Sequence, residues 1–547
     1  MNTYLLYRDR DWNNTGRYFD DKAIVQDLGL ETLFLAAAKK LEIEDDKVKY
    51  ILDADPYLQE TMKKVVCVPL ESEAEITYRQ DIMKDFFGNE ELVCELYRIS
   101  GEMLDKWDKL GRREKAKSGN RNTPRALLTE IHVLQLFVDT LKQIKLLFAG
   151  SMSGLCSEGL RDFYKRLLAE FSDETENALE KILKDITFFA NDNEHDSTMS
   201  VFNKVNKPEI TMSCSVGEGL KFKDFVLEEM GTQLRRRKEQ GSAISRAQDY
   251  LSTLTTDSFN TKKDITVSTQ VAEMEYRIVQ YVMSYTEGFV LAFSSFFDQF
   301  HLQIAFYRGA LNLKQYMDRF YIHNCFPKVT DNRNLRFAEL KELVMGIEQR
   351  INPVGNTCEI MNKNLLIVTG ANQGGKSTFL RSIGIAQVMM QCGLPVAADE
   401  YESGIFTAFF THFTRREDSE MNSGRLDEEL GRISRIIDNL GDSTIVLLNE
   451  SFATTTEKEG SVIAYDIIKA LTEAGVKVLT VTHLLSFAQR VYGEAAGDCE
   501  TGVEFFSAER TENGRRTFKM IQHAPELTSF GLDLYDEIIR REKCEIR

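Results

Sequence analysis

At 547 residues the chain is too long for one ordinary core, and its length implies three or four domains. Apolar residues make up 43% and charged residues 28%, with only 8 prolines, which marks a folded, soluble, helix-rich protein. The formal net charge of −17 argues against a general nucleic-acid coat but leaves room for a local basic groove, because binding depends on the field at the contact surface.

Nine cysteines are scattered singly from Cys67 to Cys544 and none forms a Cys-x-x-Cys pair, which argues against zinc sites and disulfide frameworks and for a reduced interior. Met1–Asn14 carries charges throughout, unlike a signal peptide. The apolar stretch Gly288–Phe297 is too short for a membrane span and is flanked by Glu287 and Asp298. A cytoplasmic location is the expectation.

From about Lys22 to Asp331, apolar residues recur at helical spacing. "LLTEIHVLQLFVDTLKQIKLLF" (Leu127–Phe148) carries a broad apolar stripe with no proline and predicts one helix. "GFVLAFSSFFDQFHLQIAFY" (Gly288–Tyr307) is apolar almost all round and predicts a helix buried between others. Two interruptions follow from composition: "GRREKAKSGNRNTPR" (Gly111–Arg125) reads as a basic loop, and Asn191–Phe225 loses the helical period for short alternating runs, predicting a small β-containing insert. "LRRRKEQ" (Leu234–Gln240) comes next. After Val329–Leu335 the texture changes. "LLIVT" (Leu365–Thr369), "TIVLL" (Thr444–Leu448) and "KVLTV" (Lys477–Val481) alternate with helical patterns and read as buried parallel strands. There is no internal repeat.

Between a strand and a helix, Gly370-Ala371-Asn372-Gln373-Gly374-Gly375-Lys376-Ser377 fits G-x-x-x-x-G-K-[ST]. Glycines let backbone N–H groups curl around phosphate oxygens, and the helix N-terminus adds its dipole. Lys376 supplies a point charge to the β- and γ-phosphates, and Ser377 a hydroxyl to Mg²⁺. The pattern predicts ATP or GTP binding. "IVLLNE" ends a strand in Asn449-Glu450, where such enzymes usually carry Asp-Glu, the first acid holding Mg²⁺ and the second polarising the attacking water. "TVTH" ends the next strand in His483, a candidate to reach the γ-phosphate.

"TGANQGGKSTFLRSIG", "GLPVAADEYESGIFTAFFTHFTRRED", "SGRLDEELGRISRIIDNL", "LLNESFATTTEKEG" and "TVTHL" occur in the order seen in the ATPase domain of the MutS family, an ABC-type ATPase. The resemblance spans roughly Ile351 to Leu534. Upstream, Val68–Ile99 resembles the opening of the family's core or lever domain, and Phe19–Phe34 is similar to a segment preceding that core in some members. The resemblance implies an α/β P-loop ABC-type ATPase domain at the C-terminal end, preceded by a mostly α-helical MutS-like core/lever domain with a small clamp-like insert. It divides the chain into an N-terminal segment (1–60), the core/lever (61–330, with the insert at 191–240), the ATPase domain (331–530) and a C-terminal helix (531–547).

The resemblance further implies ATP and Mg²⁺ as cofactors, with Glu450 and His483 catalytic. Gly370 to Thr378 and Asn356 would bind nucleotide, and Ser377, with Asn449 through water, would hold Mg²⁺. The loop at Ser423-Gly424 would face the γ-phosphate bound by a second copy, so an ATP-dependent homodimer is implied, with Ser451–Thr456 linking the two sites. The following helix sets Leu426, Leu430, Ile433, Ile436, Ile437 and Leu440 at packing spacing. Asn449 removes a full charge near the metal, so slow hydrolysis is expected.

Mismatch-reading relatives carry a leading domain with an aromatic-x-Glu wedge. The core-like pattern here starts within the first seventy residues, and the comparable Phe337-Ala-Glu339 lies beside the ATPase region, so direct mismatch reading is not expected. An endonuclease tail is not evident, and the C-terminal dimer helices read as shortened. Two basic runs are candidates for DNA phosphates: Arg235, Arg236, Arg237 and Lys238, and Arg112, Arg113, Lys115, Lys117, Arg121 and Arg125. Taken alone, each run reads as a solvated charged face; the resemblance favours DNA contact, more for the Arg235 cluster than for the loop. Two functions from different classes remain open. One is an ATP-gated clamp on duplex or branched DNA; the other is an ATP-gated dimerising switch that binds a protein partner. A small-molecule kinase fits poorly, having no need of a long helical arm.

Overall fold

The computed structural model describes residues 2–12, 21–39, 41–44, 47–50, 54–117, 124–193, 208–216, 222–232, 265–371, 373–414, 425–495, 502–511 and 515–525. Two helices, α1 (Asp21–Leu28) and α2 (Leu30–Ala37), meet at Gly29, whose φ of 71° suits a residue without a Cβ. Strands β1 (Leu41–Glu44) and β2 (Lys47–Tyr50) pair antiparallel. Helix α3 (Pro56–Val66) starts on Asp55, whose carboxylate accepts from the amides of Tyr57 and Leu58, and α4 (Glu73–Gly88) starts on Ser72, which accepts from Glu75. Then come α5 (Glu90–Lys117), α6 (Pro124–Ser151), α7 (Glu158–Glu170) and α8 (Asp173–Asn193), followed by β3 (Pro208–Val216), β4 (Phe222–Thr232) and α9 (Ile265–Arg319).

The contacts divide the chain into two compact units. One takes in residues 94–153 and 161–301 and is mainly helical. Its core is aromatic: Phe137 stacks on Phe297 with centroids 5.4 Å apart, and Phe163 stacks on Phe300, also at 5.4 Å. Lys142 on α6 pairs with Glu176 (3.1 Å) and Glu180 on α8. The insert expected within 191–240 contains β3 and β4, paired antiparallel from Pro208↔Thr232 to Val216↔Phe222.

Two expectations need correction here. The segment 111–125 is not all loop, because α5 continues to Lys117 and carries Arg112, Arg113 and Lys115 within it. Arg, Glu, Lys and Ala are good helix formers, and one interior glycine costs only about 1 kcal/mol. Nor is Gly288–Tyr307 buried all round. Within α9, Phe289 is 51% and Leu291 69% exposed, whereas Phe296, Phe297 and Phe300 are buried. Composition counts apolar residues, but only packing decides which face is covered.

The other unit comprises residues 4–93, 154–160 and 302–547. Its strands are β5 (Lys328–Val329), β6 (Leu335–Leu340), β7 (Asn356–Ile360), β8 (Leu365–Thr369), β9 (Glu400–Ser403), β10 (Ala408–Phe413), β11 (Thr444–Asn449), β12 (Lys477–Val481), β13 (Val503–Arg510) and β14 (Arg516–Gln522). Its later helices are α10 (Leu343–Gln349), α11 (Lys376–Gln391), α12 (Arg425–Ile437), α13 (Glu457–Glu473) and α14 (Leu485–Ala495). Six strands form one sheet in the order β10–β11–β12–β8–β13–β14, parallel except for β14. The order β5–β9–β6–β7 makes a second sheet.

Strand alternation divides the large sheet's residues between two faces. Ile367, Phe410, Val446, Leu448, Val478 and Phe505 pack under α12, α13 and α14. On the opposite face Gly384 of α11 sits so tightly that a Cβ there would lie 2.7 Å from Leu28 of α1 and from Leu447 of β11. Helix α1 thus covers the same sheet face as α11, a placement the sequence did not suggest. Phe337 is 1% exposed and packs beside Phe379 and Tyr401, as a core residue.

Candidate functional site

Strand β8 is buried along its whole length and delivers the chain to the glycine loop at the C-terminal edge of the sheet. Gly370 has a φ of 106° and Gly375 one of 92°, so both stand where a Cβ is disfavoured. At Gly374 a Cβ would lie 2.8 Å from the Ala508 Cβ and 2.9 Å from the Ala371 carbonyl oxygen. The loop is therefore a cradle whose walls are backbone. It feeds α11, a helix of 16 residues whose first-turn amides point back at the loop.

Lys376 is only 4% exposed. Its Nζ donates to the carbonyls of Gly370 at 2.8 Å and Ala371 at 2.9 Å. Gln373, with a φ of 59°, accepts through Oε1 from Nη1 of Arg516 on β14 at 3.0 Å. A phosphate group presented to this cradle meets backbone N–H groups, a helix N-terminus and a held ammonium, which is the donor set anions require.

Strand β12 lies between β8 and β11. Asn449 ends β11 opposite Val481, and its side-chain Oδ1 is buried with no hydrogen-bond partner among the described residues. A buried amide oxygen in that state is costly unless a donor or a hydrated cation supplies the missing contact, so the position fits a water-held Mg²⁺. Glu450 follows with a φ of 54°, its N–H donating to the Val481 carbonyl at 2.8 Å. Thr414 Oγ1 donates to the carbonyl oxygens of Asn449 at 3.2 Å and Glu450 at 2.9 Å, bracing the turn from β10.

A cavity of about 460 Å³ joins these parts. Gln373 to Thr378 line its phosphate end together with Glu450, and Gln349, Ile351, Asn352, Pro353, Val354 and Phe518 are among the residues lining the remainder. Asn356 lines it too, but its amide is committed to β14: Oδ1 accepts from the Met520 N–H at 2.7 Å and Nδ2 donates to the Phe518 carbonyl at 3.5 Å. Phe518 is 48% exposed with a φ of 62°, offering its ring to the cavity.

The nominated residues therefore separate into groups. Gln373, Gly374, Gly375, Lys376, Ser377, Thr378, Asn356 and Glu450 share one cavity, and Gly370 and Ala371 hold its lysine. Asn449 and His483 stand outside that lining. His483 acts electrostatically on Glu457, whose carboxyl is held below its usual range mainly by the Ser486 amide and also by the Ser486 and Ser461 hydroxyls. Asn372, Ser423, Gly424, Arg121, Arg235, Arg236, Arg237 and Lys238 lie outside the described residues, as does the expected C-terminal helix. Arg112 and Arg113 fall in α5, in the other unit.

Three contributors escaped the sequence. Phe518 is far down the chain and reaches the cavity only because β13 pairs with β8 and β14 with β13. Thr414 lies inside the run FFTHFTRRED, where nothing in the local pattern singles it out. Glu429 did leave a signal: it is an acid on the apolar stripe of α12, between Leu426 and Ile433, and it is 7% exposed. Burial holds its carboxyl above the usual range.

Two family models match the chain: the MutS2 N-terminal domain over residues 71–320 and MutS domain V over residues 366–536. The chain is 27% identical over 210 residues to Endonuclease MutS2 of Streptococcus thermophilus, covering 38% of this chain and 26% of that protein. It is 31% identical over 185 residues to Endonuclease MutS2 of Ruminiclostridium cellulolyticum, covering 32% of this chain and 23% of that protein. MutS protein homolog 4 of Mus musculus is 34% identical over 134 residues, 24% of this chain and 14% of that protein. The match thus spans about a quarter of the length of the first of these relatives.

Proposed function

We propose a function from one premise, that this chain belongs to the MutS family. The chain binds ATP in the cavity around Lys376 and hydrolyses it slowly. It uses that cycle to gate a clamp on duplex or branched DNA, without reading mismatches directly. Two copies bring their sites together when nucleotide is bound. The observation that carries the nucleotide reading is the buried Lys376 ammonium, fastened to the loop that encloses the cavity on whose wall Glu450 also stands.

The residues divide the work. Backbone amides of Gly374 to Thr378 and the Lys376 ammonium hold the phosphates, and α11 adds its N-terminal dipole. Ile351, Pro353, Val354 and Phe518 supply an apolar end for a flat base. Ser377, directly, and Asn449, through water, would hold Mg²⁺, which when bound neutralises phosphate charge. Glu450 orients and deprotonates the attacking water. Asn449 keeps the oxygen that an aspartate would offer but not its charge, and so hydrolysis is slow. His483 assists near the γ-phosphate.

The DNA reading is supported by the family and by the basic runs at Arg235–Lys238 and Arg112–Arg113 in the sequence. The net charge of −17 favours a second reading, an ATP-gated dimerising switch that binds a protein partner instead. Anisotropy titration with labelled duplex and branched DNA at two salt concentrations, with and without ATP, separates them. The clamp reading expects affinity that falls steeply with salt and shifts with ATP. Absence of DNA affinity at low salt overturns it. Phosphate release that does not exceed that of Glu450→Gln overturns the ATPase reading.

A further inference from the structure

We propose that Glu429 is the positioning residue for Glu450: from helix α12 it holds the loop after Glu450 in the bent form that turns the Glu450 carboxylate to the cavity. The inference rests on the ATPase reading above and adds a residue to it.

The loop needs holding. Glu450 has a φ of 54° and Phe452 one of 65°, two left-handed residues within three positions and neither of them glycine. L-residues with branched or bulky side chains leave that region unless their surroundings enforce it. One Glu429 oxygen, Oε2, accepts from the Phe452 N–H at 3.1 Å and from the Thr454 hydroxyl at 3.1 Å. An ionised acceptor makes stronger hydrogen bonds than a neutral one, and here one carboxylate oxygen holds the segment beyond Glu450 at two points, Phe452 and Thr454. Between those grips and Glu450, Ser451 donates through Oγ to the His412 carbonyl at 3.1 Å and contacts His412 Nδ1 at 2.7 Å. Strand β10 thus fixes the loop at Ser451, and α12 fixes it at Phe452 and Thr454.

The helix is itself anchored. Arg432, less than one turn beyond Glu429, donates to the Phe413 carbonyl at 3.1 Å and approaches Asp27 on α1 at 3.5 Å. The carboxylate therefore reaches the loop from a fixed support, and a movement of α12 pulls on the segment after Glu450. Burial disfavours the Glu429 carboxylate, and its hydrogen bonds to Thr454 and Phe452, with the Arg432 guanidinium nearby, offset part of that cost.

Glu429→Ala removes both acceptors, whereas Glu429→Gln keeps an oxygen in place. In the 547-residue protein, phosphate release at saturating ATP and magnesium should fall about tenfold or more in Glu429→Ala, with affinity for a fluorescent ATP analogue within about twofold of wild type. Amide exchange over residues 450–456 should accelerate in Glu429→Ala and stay near wild type in Glu429→Gln, which should also keep turnover within about threefold. Wild-type turnover in Glu429→Ala, or a loss of nucleotide affinity in step with turnover, overturns the proposal. Unchanged exchange also overturns it. Should wild type release no phosphate beyond a Glu450→Gln control, the ATPase reading falls, and the exchange comparison alone decides whether Glu429 holds the loop. If Glu429→Ala does not fold, Thr454→Val decides: it removes one donor at the loop's far end, and unaltered turnover with unaltered exchange overturns the assignment.

Discussion

The amine of Lys376 lies 2.8 Å from the carbonyl oxygen of Gly370, so the residue that closes the glycine loop is fastened to the one that opens it. The ammonium is held by backbone dipoles in a site only 4% exposed, where an arriving phosphate oxygen is a far stronger partner. Lys376→Ala should lower ATP affinity by roughly a hundredfold while leaving thermal unfolding close to wild type. Isothermal titration calorimetry beside a melting curve checks both, and retained affinity would dismiss the cradle as a phosphate site.

Gly374 tests the shape of that cradle independently of charge. A methyl there would crowd the Ala508 Cβ at 2.8 Å and the Ala371 carbonyl at 2.9 Å. Gly374→Ala should weaken ATP binding by about tenfold, and adding Ala508→Gly should restore part of the loss, because one of the two clashes is relieved. A double mutant no better than the single one would place the damage elsewhere.

Asn449 carries the prediction with the clearest sign. In Asn449→Asp its buried, unpartnered Oδ1 becomes one oxygen of a partly buried carboxylate. Without metal this variant should be less stable by about 1–3 kcal/mol; with magnesium and ATP it should recover more stability than wild type and hydrolyse faster, by roughly tenfold. Differential scanning fluorimetry with and without magnesium, together with phosphate release, reads both effects. A variant whose stability ignores magnesium would take Asn449 out of the metal site.

At the other end of the cavity, Phe518 offers a half-exposed ring beside Ile351 and Val354. Stacking of a base on an aromatic ring is worth about 1–3 kcal/mol. Phe518→Ala should therefore cost ATP about tenfold in affinity and leave inorganic triphosphate binding unaltered. Equal losses for both ligands would mean that the ring shapes the loop and does not meet the base.

Lys477 predicts a pH dependence remote from the nucleotide. It is 4% exposed at the start of β12, its Nζ donating to the carbonyls of Asn332 at 3.0 Å and Asn334 at 3.2 Å, and desolvation pushes its pKa down to about 7. A lysine depressed on folding binds fewer protons in the native state than in the unfolded one between that value and its ordinary range. Stability from this group is hence fully present above the ordinary lysine pKa, is lost as pH falls toward about 7, and is flat below. Chemical denaturation at pH 7 and pH 9 should show wild type gaining stability relative to Lys477→Met by a few kcal/mol. Parallel behaviour of the two proteins would refute the shift.

The glycine loop, the strands around Leu365, Thr444 and Lys477, and the helical texture before residue 330 were legible because each is written in local terms. Glycines mark tolerated backbone angles, unbroken apolar runs mark strands buried on both faces, and a 3.6-residue period marks helices. Glu450 could be nominated for the same reason, as an acid at the end of such a strand. Local pattern failed at Gly111–Lys117, where a single glycine and a basic run resembled a loop although the surrounding residues propagate α5. It failed again at Phe289 and Leu291, apolar yet exposed.

What the sequence alone determined was the chemistry on offer: a lysine and hydroxyls behind glycines, an amide and an acid closing one strand, and the order of helices and strands. What only the tertiary structure decided was which distant residues meet. Strand order set β14 near the loop and brought Phe518 and Arg516 to it, while packing on the sheet's two faces brought Glu429 to Phe452 and Leu28 to α11. Such meetings depend on pairing between segments far apart in the chain, whose free energy is gained by burying surface collectively. No single window of sequence contains that sum.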